Sequence, residues 1–434
     1  MPQELFFRHA LLPTGWAARV RITVADGLIA TVQAGVAPSG EQHAIALPGM
    51  PNLHSHSFQR AIAGLTECRG SQGDSFWTWR DIMYRCGLAL DPDDVEAIAT
   101  QAFVEMLEGG FCSVGEFHYL HHAPNGERYT DIAELSVRIA AAAAAAGIDL
   151  TLLPVFYAHS GFGGAPPAPE QRRFINDLDG YAEIYQRCRT LSSAGVAPHS
   201  LRAVTQAELA ALVEIAGAAP LHIHIAEQSA EVAACLAWSG LRPVQWLLQH
   251  ADVANNWCLV HATQTDPSEL AAIVARGAVV GLCPITEANL GDGIFPARDY
   301  AGPFGIGSDS NVLISVAEEL RMLEYSQRLR TRERNVMAGD ATRATATAMY
   351  QNAVAGGAQA LGTRGGISVG APANIVALAG DDPDLALTQW VFCARTSPIE
   401  DVWVRGRRRV TGGRHELAEW SGRRFEKVRK NLLF

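Results

Sequence analysis

Eight short apolar runs, parted by amphipathic helical patterns, limit most strongly what this chain can fold into. The first leads up to His54. The others read CSVGEFHYL (112–120), IDLTLLPVFYAH (148–159), AGVAPHS (194–200), LHIHIAE (221–227), WCLVHAT (257–263), VVGLCPI (279–285) and FGIGSDS (304–310). Neighbouring parallel strands need a long crossover, which a helix normally fills. TQAE at 205–208 and DPSE at 266–269 carry the residues of helix-starting capping boxes, with Gly217 and Gly277 as the matching stops. A further helical pattern at 93–107 runs into Gly109 and Gly110. Eight such units over roughly 320 residues predict an α/β chain folded as a (β/α)8 TIM-type barrel, longer than the ~250-residue norm. We place that barrel at 48–366.

Both ends of the chain read differently. Residues 1–47 alternate or run apolar, with Asp26-Gly27 as a hairpin turn. Residues 367–434 return to strand patterns in ISVGAPANIVALAG, WVFCA and EDVWVRGRRRVTGG. The two ends are expected to pair as one small β-sandwich domain, 1–47 with 367–434. The final RRFEKVRKNLLF reads as a packed amphipathic helix. A turn-rich insertion containing FWTWRDIMYR runs to about residue 90. The Gly- and Asp-rich stretch 286–300 is not helical by pattern, and a helix over 343–361 closes the barrel. The alanine-rich run 139–155 reads as a buried helix entering a buried strand, since Gly147, Asp149 and Pro154 interrupt it.

Charge and cysteine usage narrow the functions. With 35 Lys and Arg against 45 Asp and Glu, the net charge of −10 offers no basic field for nucleic acid or an anionic membrane. An anionic small substrate would need locally placed arginines. The eight cysteines are scattered and form no Cys-x-x-Cys pair, which excludes a zinc ribbon and fits a reducing cytoplasm. The opening MPQELFFRH has no basic segment followed by an apolar core, so no secretory signal is expected.

Chemistry in such barrels gathers at the carboxyl ends of the strands. Polar residues cluster there: His54 and His56, Glu116 with His118 and Tyr119, His159, His199, His224 with Glu227, His261, and Asp309. His54 and His56 share one face of an extended chain. Together with His224 and Asp309 they supply three imidazoles and a carboxylate, a set suited to one catalytic zinc with a position left for water. Bound zinc brings the pKa of water to roughly 7. Glu227 is placed to carry a proton to a leaving nitrogen, and His261, together with Asp309, to hold the attacking water by hydrogen bonds and orient the reacting centre. His118, His121 and His122 are read as solvated loop histidines, and His222 as barrel filling.

The motifs P-G-x-x-x-x-H-x-H, H-I-H-I-A-E, V-H-A-T, G-S-D-S and G-A-P-A-N-I-V resemble the mononuclear-zinc deaminase branch of the amidohydrolase superfamily over essentially the whole chain. The resemblance implies that His54, His56, His224 and Asp309 bind the metal, that Glu227 shuttles protons, and that His261 contacts water and substrate. The fourth run ends VAPHS, without the lysine of binuclear relatives, which favours one metal. MPNLHSHSFQRAIAGL, FWTWRDIMY, VGEFHYLHH, APHSLRAV and LHIHIAEQ are similar to the formimidoylglutamate deiminases of histidine degradation. That likeness implies hydrolysis of N-formimidoyl-L-glutamate to N-formyl-L-glutamate and ammonia by a homodimer. It also implies substrate contacts from Gln59, Arg80, Tyr119, His199 and Arg202. A purine, pyrimidine or thioadenosine deaminase of the same branch is the alternative, and a metal-free scaffold the remote one.

Overall fold

Alternating apolar residues at the amino-terminal end build strands in the computed structural model, which describes residues 3–69, 75–339 and 342–432. These are β1 (Gln3–Leu12), β2 (Gly15–Ala25), β3 (Leu28–Gln33) and β4 (Glu41–Pro48). The β2–β3 turn falls at Asp26 and Gly27, both with positive φ (51° and 78°), as the dipeptide predicts. β1 pairs antiparallel with β2 and parallel with β4.

The eight apolar runs become β5 (Met50–Ser55), β6 (Phe111–His118), β7 (Asp149–Phe156), the broken pair β8 (Ser193–Ala194) and β9 (Ala197–Pro198), β10 (Leu221–Ile225), β11 (Trp257–His261), β12 (Val279–Leu282) and β13 (Phe304–Ile306). Every pairing among them is parallel. Two arcs result, β5 to β9 and β10 to β13. Bridges Val196–Leu221 and Ser200–His224 join them at one seam, and Ser55–Asp309 at the other. At that second seam His56 N–H donates to Asp309 O (2.9 Å), and Asp309 N–H donates to His54 O (3.0 Å). The ring is thus closed through residues that belong to the site. Every residue of β5, β6 and β10 to β13 is buried, as expected for parallel strands covered on both faces.

The crossover helices start and stop where local chemistry says they should. Capping boxes at Thr205 and Asp266 open Gln206–Ala216 and Pro267–Arg276, which end at Gly217 and Gly277. Asp91 caps Pro92–Glu108. The alanine-rich segment forms helix Glu134–Ala146, stopped by left-handed Gly147 just before β7. Thr345–Ala360 closes the ring against β13, where a Cβ on Gly356 would overlap the Phe304 carbonyl.

The carboxyl-terminal strands β14 (Ile375–Leu378), β15 (Ile399–Val404), β16 (Arg407–Thr411) and β17 (Arg414–His415) extend the first sheet to eight, in the order β17-β16-β15-β14-β4-β1-β2-β3. The far edge returns to the chain before β14, because Ile29 N–H donates to Ala371 O and Gly370 N–H donates to Ile29 O. The small β domain is therefore one continuous sheet folded over its own core of Leu5, Phe7, Val20, Ile22, Ile375 and Trp403. Its other face, with Leu11, Ile45, Leu47, Val376 and Val402, joins the core of the barrel.

Three segments depart from the sequence reading. WVFCA is not a strand: it ends helix Pro383–Phe392, which Asp382 caps and Pro383 starts, with Leu387, Trp390 and Val391 buried on one side. Residues 284–290 form a two-turn helix that begins at Pro284 and stops at left-handed Gly291. The insertion holds a 3-10 turn at Ser57–Ile62 and a full helix, Phe76–Ala89, opened by a Ser75–Thr78 capping box. Its residues 70–74 lie outside the described residues, as do 433–434 of the final motif. That motif forms Ala418–Leu432, which buries Phe425, Val428 and Leu432 and packs on Pro92–Glu108. Among the described residues no helix is long and apolar enough to cross a membrane.

Candidate active site

The ring brings His54 (β5), His224 (β10), His56 and Asp309 together, all buried, with one donor atom from each inside a common 4.8 Å. Two backbone carbonyls orient the imidazoles. His56 Nδ1 donates to Phe117 O (2.8 Å) and His224 Nδ1 to His199 O (3.1 Å). Carbonyl oxygens only accept, so these Nδ1 atoms carry the protons and both Nε2 atoms present bare lone pairs. His54 Nε2 lies 3.1 Å from His56 Nε2 and 3.0 Å from His224 Nε2. Asp309 Oδ1 is 3.5 Å from His54 Nε2 and 3.2 Å from His56 Nε2. A single proton on His54 Nε2 cannot serve two imidazole lone pairs and a carboxylate oxygen that all face one point. A small cation of borderline softness can, and the donor set fits it.

Electrostatics agree with that reading. Burial pushes His54 down to about 3. His224 lies well below the usual imidazole range, through burial first and then its neighbour His54. Neutral imidazoles are the form a metal needs. Burial alone would raise Asp309, but the His54 Nε2 edge facing Oδ1 and the charge of His261 hold it well below the usual carboxylate range.

Beside this corner stands a proton-handling group. His261 Nε2 is 3.8 Å from Glu227 Oε1 and 3.7 Å from Asp309 Oδ2, while its Nδ1 lies 3.3 Å from Glu287 Oε1. Burial opposes its charge, yet Glu227, Glu287 and Asp309 outweigh that and lift it to about 10. Burial raises Glu227, with His261 and Arg202 pulling the other way. The backbone here is strained: Ala226, His261, Ala262, Asp309 and Asn311 all have φ between 45° and 69°. Non-glycine residues accept that conformation only where the surroundings over-determine it. The ladder bonds across the seam and the Asn311 side chain, which donates to Ser55 Oγ and His56 O, do so here.

One pocket joins these groups to the other expected residues: Gln59, Arg80, Tyr119, His199 and Arg202 all line it with His56, His224, Glu227, His261 and Asp309. Arg80 projects from helix Phe76–Ala89 and stacks on Trp77 (4.3 Å). Arg202 follows β9, with Nη2 4.0 Å from Glu227 Oε2. Each guanidinium keeps a solvent-shielded Nε–H without a hydrogen-bond partner. Gln59 Nε2 donates to Tyr119 Oη (2.7 Å), leaving its own Oε1 unpartnered.

Other polar strand-end residues have structural duties. Glu116 accepts from the Ser57 N–H and hydroxyl, pinning the turn after His56. His159 pairs with Glu208 (2.9 Å), and His222 bonds Ala360 O inside the barrel (2.8 Å). His118, His121 and His122 are not solvated: all three are buried. Arg173 folds over them, its carbonyl accepting from the His121 and His122 N–H groups while its guanidinium bonds His122 O and Leu90 O. Sequence reading missed Glu287, which holds His261 and sits in the unforeseen helix 284–290. It also missed Tyr84 and Tyr157 on the pocket wall. A carboxylate five residues past the end of β12 was the available signal for Glu287.

Residues 45–409 match the amidohydrolase family, and residues 4–44 match the model described as the N-terminal domain of the formimidoylglutamate deiminase HutF. The formimidoylglutamate deiminase of Pseudomonas aeruginosa is 50% identical over 99% of this chain and 99% of its own. A 5-methylthioadenosine/S-adenosylhomocysteine deaminase of Natronomonas pharaonis is 27% identical over 83% of this chain and 80% of its own. An amidohydrolase structure from Brucella melitensis covers 100% of both chains with a TM-score of 0.96 and 49% identity. A zinc-bound adenosine deaminase structure from Xanthomonas campestris, at 21% identity and a TM-score of 0.79 over 99% of this chain and 98% of its own, shares the fold.

Proposed function

The chain belongs to the amidohydrolase family and, within it, to the formimidoylglutamate deiminases, and from that premise we propose that it hydrolyses N-formimidoyl-L-glutamate to N-formyl-L-glutamate and ammonia. His54, His56, His224 and Asp309 would hold one zinc ion, which when bound would supply Lewis-acid activation of water near neutral pH and a positive centre for developing oxygen charge. Glu227 takes a proton as water adds to the formimidoyl carbon and returns it to the nitrogen that departs as ammonia. His261, charged and fixed by Glu287, stabilises oxygen charge in the transition state.

Recognition rests on the arginines. The substrate carries two carboxylates, and a guanidinium grips a carboxylate through paired N–H groups. The observation that carries the reading is the pair of unsatisfied guanidiniums, Arg80 and Arg202, lining the same pocket as the histidine–aspartate corner in a chain of net charge −10. Two like charges left without full pairing in a pocket call for a dianionic ligand. Gln59, Tyr119 and His199 complete that wall.

The same reading divides the chain into a barrel at 48–366 and a β domain of 1–47 with 367–434. It also makes the protein a cytosolic homodimer, with the eight free thiols supporting a reducing compartment. The decisive experiment measures ammonia release from N-formimidoyl-L-glutamate and metal content on one sample. Rapid release at one zinc per chain is expected. Release from methylthioadenosine or a nucleobase instead would overturn the substrate assignment.

A further inference from the structure

Cys283 is a buried thiol that the reaction above does not use. It directly follows β12, between His261 at the end of β11 and Asp309 just past β13. Its Sγ, a ring nitrogen of His261 and a carboxylate oxygen of Asp309 lie within 4.8 Å of one another, all three residues buried. Asp309 faces two ways. Its Oδ1 serves the His54–His56 corner, while Oδ2 is turned to His261 (3.7 Å). One carboxylate thus reaches two adjacent donor clusters without moving.

We propose that His261, Cys283 and Asp309 form a second, inhibitory cation site for a thiophilic divalent ion, zinc in excess or cadmium. Thiolate, imidazole and carboxylate together select such ions over magnesium or calcium. The surroundings favour added positive charge. Glu287 Oε1 accepts from Cys283 N–H (2.9 Å) as well as facing His261. Glu319 accepts from Ile285 N–H (3.0 Å) and has its other oxygen buried without a hydrogen-bond partner. Burial first, then the charges of Asp309, Glu287 and Glu319, push the Cys283 thiol well above its usual range, so it keeps its proton until a cation displaces it. Cys258, also buried inside the ring, belongs to no such cluster among the described residues.

On binding, the ion displaces two protons to solvent, one from the Cys283 thiol and one from the charged His261 imidazole, whose ring nitrogen is thereby freed to coordinate. It then engages His261 and Asp309 Oδ2, withdrawing both from the hydrolytic reaction. That inhibitory consequence rests on the proposed function; the binding itself does not.

The test is a cadmium chloride titration of enzyme carrying one zinc per chain, following bound cadmium, retained zinc, thiolate-to-cadmium absorption in the ultraviolet, and ammonia release. One added cadmium per chain is expected, with the absorption band rising and activity falling in parallel while zinc stays bound. Cys283→Ala, with Cys283→Ser as a size-conserving companion, should abolish the band and weaken the second ion by at least about tenfold. Cys258→Ala should leave both unchanged. Cadmium uptake that only releases zinc, or a band that survives in Cys283→Ala, overturns the site. If formimidoylglutamate yields no ammonia in any sample, the proposed function fails while the cadmium band still decides the second site.

Discussion

The histidine–aspartate corner and the arginine wall share a pocket but are built on opposite plans. In the corner, position is fixed by backbone. His54, His56 and Asp309 exchange ladder bonds across a barrel seam, His56 and His224 are aimed by main-chain carbonyls, and strained residues stand beside them. On the wall, Arg80 and Arg202 are long side chains from a helix and a turn, each retaining a shielded N–H without a partner. Reacting groups need fixed geometry, because misplacement costs rate directly. Recognition groups can stay unsatisfied until a ligand of the right charge supplies the missing acceptors.

If that contrast is sound, disturbing the corner should destroy turnover and disturbing the wall should mainly weaken binding. The largest effect belongs to His54→Ala. It should lose both metal and activity, and chelation of the wild type should do the same until zinc is restored; metal analysis beside the ammonia assay checks both. Glu227→Gln comes next, with kcat lowered by about 10²–10⁴-fold and zinc retained. A near-normal kcat would remove Glu227 from proton transfer.

Arg202→Ala tests the wall. Charged hydrogen bonds are worth about 1.5–3 kcal/mol, so KM should rise roughly 10–100-fold with kcat changed far less. The same variant probes the link between the two regions. Burial raises Glu227, and Arg202 partly offsets this. Glu227 must be ionised to accept a proton, so activity is lost as pH falls through its raised pKa. Removing the guanidinium raises that pKa further, and the acid limb of the rate profile should move to higher pH. An unmoved limb would mean that the regions act independently. The smallest effect is expected for Trp77→Ala, which removes the ring stacked on Arg80: a cation–π contact of about 0.5–1 kcal/mol predicts a KM increase of roughly 2–5-fold.

Local rules carried far in reading this chain, and failed where neighbours decide. The WVFCA segment shows the limit. Its apolar residues suit a strand, but Asp382 and Pro383, seven or eight residues upstream, had already started a helix that buries them. The histidines read as solvated show another: His118 ends a buried strand, and only the fold lays Arg173 over His121 and His122. Glu287 was missed because the helix that presents it to His261 was read as an irregular loop.

By itself the sequence determined the eight-strand rhythm, the capping boxes and the strand-end residues of the pocket, because periodicity and capping are contacts within a few residues. Only the tertiary structure decided which nitrogen of each histidine faces the common centre, and that Asp309 looks toward two clusters at once. His56 is aimed by Phe117, sixty-one residues away, and His224 by His199, twenty-five away. Such orientation depends on which strands end side by side, and no local pattern encodes that.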